Sequence, residues 1–416
     1  MSGRALGIEG DFTYLPGLML ITFNDKAVMS SEVNLIKESQ GLDLGKFQDI
    51  HYVYKAVVHG YYTAQEGVQE ITAVMVRRQP HSESLQILAY GMAGVAIGSF
   101  NFSMRPMDFV PCFILGCVVG ILQLIAGARS SQFSHLVEVC AAILVAFVSR
   151  GLGSIPYYDQ PMFCFSAIAY SSIVVLLPGY TVLCAALELQ NQKLAAGAAR
   201  MVYAIIYSLF LGFGFLVGMV LMGMMSPNAQ SNTSCQAPQW WDASNLDYKL
   251  LYVKFLWVPV FAACIAIIFQ AKWAQVPVMA LIAFVSYEAN FWISTALDDN
   301  SQVGNAAGAF IIGVMGNLYS RMFHGLAAAA MLPAIIVQVP GGIAARLNLK
   351  DAIASANAMT GHVLNTTVAN TSTVGTISNV GYTGMVEVAV GSSVGFFLSA
   401  LLIYPVGKKR SGLFTY

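Results

Sequence analysis

Two hydrophobic patterns divide the chain. Up to residue 84 apolar positions are short and spaced; beyond it they merge into runs of about twenty, the length that crosses a bilayer as a helix. In the first part, YLPGLMLITF (14–23) and the following KAVMSSEVNLI flank Asn24-Asp25, whose side chains tolerate turn backbone, so the pattern predicts two strands around a turn. From Leu42 the spacing changes to three or four, through Leu44, Phe47, Ile50, Tyr54 and Val57, which predicts a helix with one apolar stripe that Gly60 ends. Thr63 and Glu66 then form a T-x-x-E capping pattern ahead of Val68, Ile71 and Met75, and Pro80 closes this second helix. Residues 1–84 thus read as a small N-terminal cytoplasmic α/β domain. Either it packs on itself or it serves as a gate or docking module at the mouth of the membrane part.

Helices span membranes because every backbone polar group must be bonded internally. The apolar runs predict spans near 85–104, 108–128, 134–149, 161–187, 198–225, 251–271, 274–295, 302–319, 323–343 and 385–405. These ten divide into a first five-helix repeat (85–225), an extracytoplasmic loop (226–250), a second five-helix repeat (251–405) and a cytoplasmic tail (406–416). An odd number of spans per repeat inverts the second relative to the first, the plan of many secondary transporters. The stretch 350–384, rich in Ala, Asn, Thr, Ser and Gly, is too polar to span and reads as a loop or surface helix. The fold class expected is therefore an all-α integral membrane protein with a small head.

Charge supports the division. Residues 1–84 hold 17 of the 42 charged residues, and the whole chain is 57% hydrophobic and only 10% charged. A soluble enzyme carries nearer a quarter charged residues, and a net charge of zero removes the basic surplus that a nucleic-acid partner requires. Lys and Arg near span ends number ten on one side against six on the other, which places both termini in the cytoplasm. That topology puts the sequon Asn232-Thr233-Ser234 outside, and leaves plasma and vacuolar membranes undistinguished. Of seven cysteines, six, including Cys164, lie in apolar runs and read as small hydrophobes, and only Cys235 falls in a polar loop. No Cys/His spacing suggests a metal, and no cofactor or catalytic constellation stands out.

The candidate chemistry lies in two interruptions and two acids. LLPGYT (176–181) and VPGGIAARL (339–347) each place Pro-Gly within or near the end of an apolar run, in what would be equivalent spans of the two repeats. Proline removes a donor and glycine permits unusual backbone, so both can open a helix. A half-helix starting there would turn free N–H groups toward an anion such as a carboxylate. Pro178, Gly179, Tyr180, Pro340, Gly341 and Gly342 are the backbone candidates, against the plainer reading of helix kinks. Glu288, in VSYEANFW, and Glu138, beside His135, are ionisable groups inside spans, fit to meet a substrate ammonium or carry a coupling proton. Arg321 and His324 read as topology anchors. Gly304, Gly308, Gly313 and Gly316, with Gly212, Gly214 and Gly218, read as sites of close helix approach.

Long strings carry a resemblance. GLDLGKFQDIHYVYKAVVHG (41–60), LLPGY (176–180), ALELQNQKLAAGAARMVYAIIYSLFLGFG (186–214), GNLYSRMFHGLAAAAMLPAI (316–335) and QVPGGIAARL (338–347) are similar to the threonine/serine exporter family. Within it, the chain resembles a fungal group named for regulation by mating pheromone. The resemblance implies a multi-pass transporter of about ten helices in two related halves, with threonine and serine as the solutes of its bacterial namesakes. Its partners would be a small polar solute, the lipid bilayer, a coupling proton and further copies of the same chain. The alternative function is a non-transporting membrane protein acting in pheromone response or cell fusion.

Overall fold

The computed structural model describes residues 10–15, 17–25, 30–37, 41–102, 104–127, 131–157, 160–226, 247–297, 301–323, 325–338 and 379–403. Strands β1 (Gly10–Leu15), β2 (Leu18–Asp25) and β3 (Ser30–Lys37) form an antiparallel sheet in the order β1-β2-β3. Asp25 opposite Ser30 and Leu18 opposite Lys37 set the β2–β3 register; Asn24 and Asp25, expected as the turn, are instead paired residues of β2, opposite Ser31 and Ser30. The additional strand β1 reverses at Gly17, whose φ of 79° is accessible to glycine without a side-chain clash.

Helices α1 (Leu44–Val58) and α2 (Ala64–Val76) follow. Asp43 caps α1 by accepting from the Lys46 N–H, and Gly60, at φ 76°, ends the segment. Gly67 and Val74 are the buried residues of α2, with Gly67 set against Val57 of α1. The stripe read from the sequence faces elsewhere: Val68 is 65% and Met75 59% exposed. α2 packs on α1 through Gly67 and Val74, which leaves the Val68–Met75 side uncovered among the described residues.

Thr63 and Glu66 complete the capping box. The Thr63 N–H donates to Glu66 Oε2 at 2.8 Å, and the Glu66 N–H donates to Thr63 Oγ1 at 3.3 Å. These donors hold the Glu66 carboxyl below its ordinary value of 4.5, the Thr63 backbone N–H contributing most. A depressed folded-state value stabilises the helix end above the unfolded value, and the gain is lost as pH falls through the folded one. Hydrogen-exchange protection in the first turn of α2 is therefore expected to fall when pH is lowered from 6 toward 3. Protection that stays constant over that interval would remove the carboxylate from the cap.

The bundle comprises α3 (Glu83–Asn101), α4 (Phe109–Gly127), α5 (Ser131–Gly153), α6 (Phe165–Ile173), α7 (Gly179–Gln190), α8 (Leu194–Met225), α9 (Asp247–Ile268), α10 (Val276–Ala296), α11 (Ser301–Phe323), α12 (Ala327–Gln338) and α13 (Asn379–Ile403). Among the described residues, Pro106–Gly127, Ser134–Gly153, Leu194–Met225 and Trp273–Ala296 are long and apolar enough to cross a membrane. A fifth span arises if α6 and α7 are taken together. Ten were expected from the sequence. Phe255–Ile268, Ala327–Gln338 and Val388–Ile403 are shorter apolar stretches, and α3 and α11 carry buried amides, Gln86 in the first and Asn305 and Asn317 in the second.

Packing is set by small residues. α3 crosses α4 where a Cβ on Gly116 would lie 2.9 Å from the Gly91 Cα. α5 and α8 run side by side in the same direction, Gly214 on Val139 and Gly218 on Ile143. α11 and α13 do the same, with Gly395 against Ala306 and Phe310 and Gly313 against Phe396 and Ser399. Gly304 meets Asn290 and Ser294, Gly308 meets Gln338, and Gly316 meets Met331, so those glycines pack as expected, whereas Gly212 has open space around it. α3 also packs on α9.

The head docks at the turn after α9. The Leu44 and Gly45 N–H groups donate to the Phe269 and Gln270 carbonyls at 2.9 and 3.2 Å, so α1 begins on the acceptors that α9 leaves unused. Gln270 is at φ 58°, and its side-chain oxygen accepts from the His81 N–H at 3.0 Å. Asp49 pairs with Lys272 of that turn and with Arg77 at 3.2 Å.

Candidate functional site

The LLPGY segment opens a helix. α6 passes through a 3₁₀ turn at Val174–Leu176 and stops; α7 starts at Gly179 with its axis bent by 51°. Pro178 stands at the N-cap with ψ 38° and no side-chain capping bond, and the Gly179 N–H donates to the Leu177 carbonyl at 2.9 Å. Every residue of α6 is buried, which is unusual for a span and puts the break inside protein. Beyond it, α7 lies against α8, α12 and α13, with Val182 and Ala186 clustered on Ala204 and Ala389. The helix that leaves the break therefore lies between α8 and the later helices α12 and α13.

A polar face continues from the break. Tyr180, Cys184 and Glu188 recur at four-residue spacing along α7, and Glu188 Oε1 pairs with an Arg200 Nη of α8 at 3.1 Å. Tyr180 and Cys184 both interact with this pair and with each other.

Glu138 collects donors from three helices. Gln123 Nε2 of α4 donates at 3.1 Å, Ser134 Oγ at 3.4 Å, and His135 Nδ1 stands at 3.2 Å. The Tyr207 hydroxyl of α8 bonds the same carboxylate, and Tyr203 OH lies 3.2 Å from His135 Nε2. His135 is half exposed and the carboxylate mostly covered.

α10, α11 and α12 share an amide network. Asn290 Nδ2 donates to Gln338 Oε1 at 2.6 Å and to Asn305 Oδ1 at 3.0 Å; Gln338 Nε2 donates to the Ser286 carbonyl at 2.6 Å. Gln338 ends α12 directly before the second Pro-Gly motif. Pro340, Gly341 and Gly342 lie outside the described residues, as does His324.

Glu288 stands elsewhere. Its Oε2 accepts from Trp292 Nε1 of the next turn at 3.0 Å, on a face of α10 where Trp292 is 58% exposed. The structure does not bring it to Pro178 or Glu138. Among the described residues no group of three or more His, Cys, Asp or Glu is placed to hold a metal.

Glu188, Arg200, Asn290, Asn305 and Gln338 were not sequence candidates. Glu188 and Arg200 sit near a polar turn and read as helix-end charges; the amides carry no charge, so a search for buried ionisable groups passes over them. Arg150 likewise reads as an anchor, yet it is fully buried and donates to the Met219 carbonyl at 2.8 Å. Cys164 is disulfide-bonded, which corrects its reading as a small hydrophobe.

A mostly helical bundle with several long apolar helices and a buried, broken one at its centre is a multi-pass membrane protein. More narrowly, the chain belongs to the threonine/serine exporter family. The profile described as "Putative threonine/serine exporter" matches residues 1–222, and "Threonine/Serine exporter, ThrE" matches 254–350. The chain is 43% identical to "Pheromone-regulated membrane protein 10" of Candida albicans (strain SC5314) over 421 residues, covering all of this chain and 37% of that protein. The proteins of the same name in Eremothecium gossypii and Kluyveromyces lactis are 41% and 40% identical, again over the whole chain and over 54% and 42% of those proteins. The chain therefore spans about half the length, or less, of these relatives. No solved structure matches it.

Proposed function

We propose that the chain is the membrane core of a secondary transporter that exports a small polar solute, threonine or serine first, by alternating access of two inverted five-helix repeats. The break at Leu177-Pro178-Gly179 carries this reading. An opened helix enclosed by protein leaves backbone N–H groups of Tyr180 and Thr181 without helical partners, suited to a carboxylate. Irregular backbone at membrane depth is tolerated where protein or a cavity surrounds it.

Two parallel, glycine-packed pairs, α5 with α8 and α11 with α13, support the repeat, since each occupies the third and last places of its half. α3 packing on α9 supports an axis between the halves. In this arrangement the second Pro-Gly motif, with Gly341 and Gly342, is the counterpart site after α12. Residues 1–84 are the cytoplasmic head. The disulfide at Cys164 supports that orientation, because disulfides persist on the oxidising side of a membrane. Glu138 is the coupling-proton site in this reading, reached through His135, while Glu288 stands apart from the solute path.

Labelled threonine or serine is expected to leave proteoliposomes that contain the purified chain, faster with a proton gradient imposed. No movement of any solute in a broad amino-acid panel would overturn the transport reading. Efflux indifferent to the gradient would remove Glu138 from its role. The relatives are named as pheromone-regulated membrane proteins, and the second reading, a membrane protein of the pheromone response that moves no solute, is separated from the first by the same assay.

A further inference from the structure

We infer that Glu188 and Arg200 form an exchangeable ion pair that receives the two charges of an α-amino-acid zwitterion. The inference rests on the transport reading above and makes the pair a second station for the solute, reached after its carboxylate leaves the opened backbone at the break.

α7 begins at the break and carries Tyr180, Cys184 and Glu188 on one face. At about 1.5 Å per residue, this face runs roughly 12 Å from the opened backbone to the Glu188 carboxylate. Arg200 reaches it from α8 at 3.1 Å. Both charges are largely covered, with side-chain exposures of 14% for Arg200 and 22% for Glu188. Among the described residues Glu188 Oε2 has no hydrogen-bond partner, although it is out of contact with solvent. The carboxylate therefore has an acceptor to offer.

A zwitterion fits this pair without changing its net charge. Its ammonium donates to Glu188 in place of the guanidinium, and its carboxylate takes Arg200 through the two-pronged geometry that guanidinium favours. No bond is made or broken covalently. The Tyr180 hydroxyl and the Cys184 thiol, both electrostatically linked to the pair, lie on the same face of α7 and offer hydrogen-bonding groups to a hydroxyl-bearing side chain. A covered ion pair is a poor device for stability alone, since apolar residues of similar volume commonly serve as well or better. The plain alternative is a clip that ties α7 to α8 across their short turn.

The test separates the clip from the ligand. In proteoliposomes, Glu188→Gln and Arg200→Gln are each expected to raise the KM for threonine about tenfold or more, the worth of one charged hydrogen bond. Glu188→Gln should also abolish the preference for threonine over 2,3-dihydroxybutyrate, which lacks the ammonium, as read by competition. The double exchange E188R/R200E restores an ion pair but reverses its polarity. It is expected to keep the wild-type thermal midpoint and remain impaired in transport. Recovery of transport by the double exchange, or single variants with the wild-type KM and preference, would overturn the inference while leaving transport intact. A wild-type chain that neither binds nor moves threonine would overturn the transport reading and the inference with it.

Discussion

Asp108→Ala is expected to destabilise the bundle by about 3–5 kcal/mol, the usual cost of removing one partner from a buried ion pair. Asp108 is fully buried at the start of α4. Its Oδ1 accepts from the Cys164 N–H at 2.9 Å, and its Oδ2 accepts from Arg105 Nε at 3.2 Å and the Arg105 N–H at 3.3 Å. The Arg105 guanidinium also donates to the Met162 carbonyl at 3.1 Å. One carboxylate thus joins α4 to the backbone leading into α6, and alanine would leave a guanidinium without its counter-charge and two N–H groups without acceptors. Asp108→Asn keeps an acceptor for Cys164 but no charge for Arg105, so it should fall between. Denaturant unfolding of the detergent-solubilised protein measures both. A loss below about 1 kcal/mol for alanine would show that Arg105 finds another partner at little cost.

Gly218→Val is expected to cost about 3 kcal/mol, the upper end of ordinary overpacking. A Cβ at Gly218 would lie 2.2 Å from the Ile143 carbonyl oxygen and 2.9 Å from the Ala146 Cβ. The nearest obstacle is backbone, which cannot rotate aside, so α5 and α8 must separate. Gly212→Val on the same helix meets nothing within 4 Å and serves as the control, with a change of a few tenths of a kcal/mol from helix propensity. Equal losses in the two variants would refute close packing as the role of Gly218.

Local signals were readable where local physics decides. Thr63 and Glu66 form their capping box because both partners lie within one turn, and Gly60 ends its segment because its backbone angle favours glycine. Pro178-Gly179 breaks its helix for the same reason: missing donor and ring sterics act within a few residues. The stripe of Val68, Ile71 and Met75 misled because periodicity reports which face is apolar, not what will cover it. Glu288 and Glu138 looked alike as acids inside apolar runs. One faces outward beside Trp292 and the other gathers Gln123, His135 and Tyr207. Which way a helix is turned depends on its neighbours.

The sequence by itself determined a polar head, a helical membrane body and an interruption at residues 176–181 that was either a kink or a break, because composition, run length and proline chemistry act without long-range contacts. Tertiary structure alone decided that Glu188 meets Arg200, that Asp108 holds the Cys164 N–H, and that Asn290, Asn305 and Gln338 converge from three helices. Buried polar groups must find partners, and the choice of partner depends on how helices distant in sequence come to lie side by side.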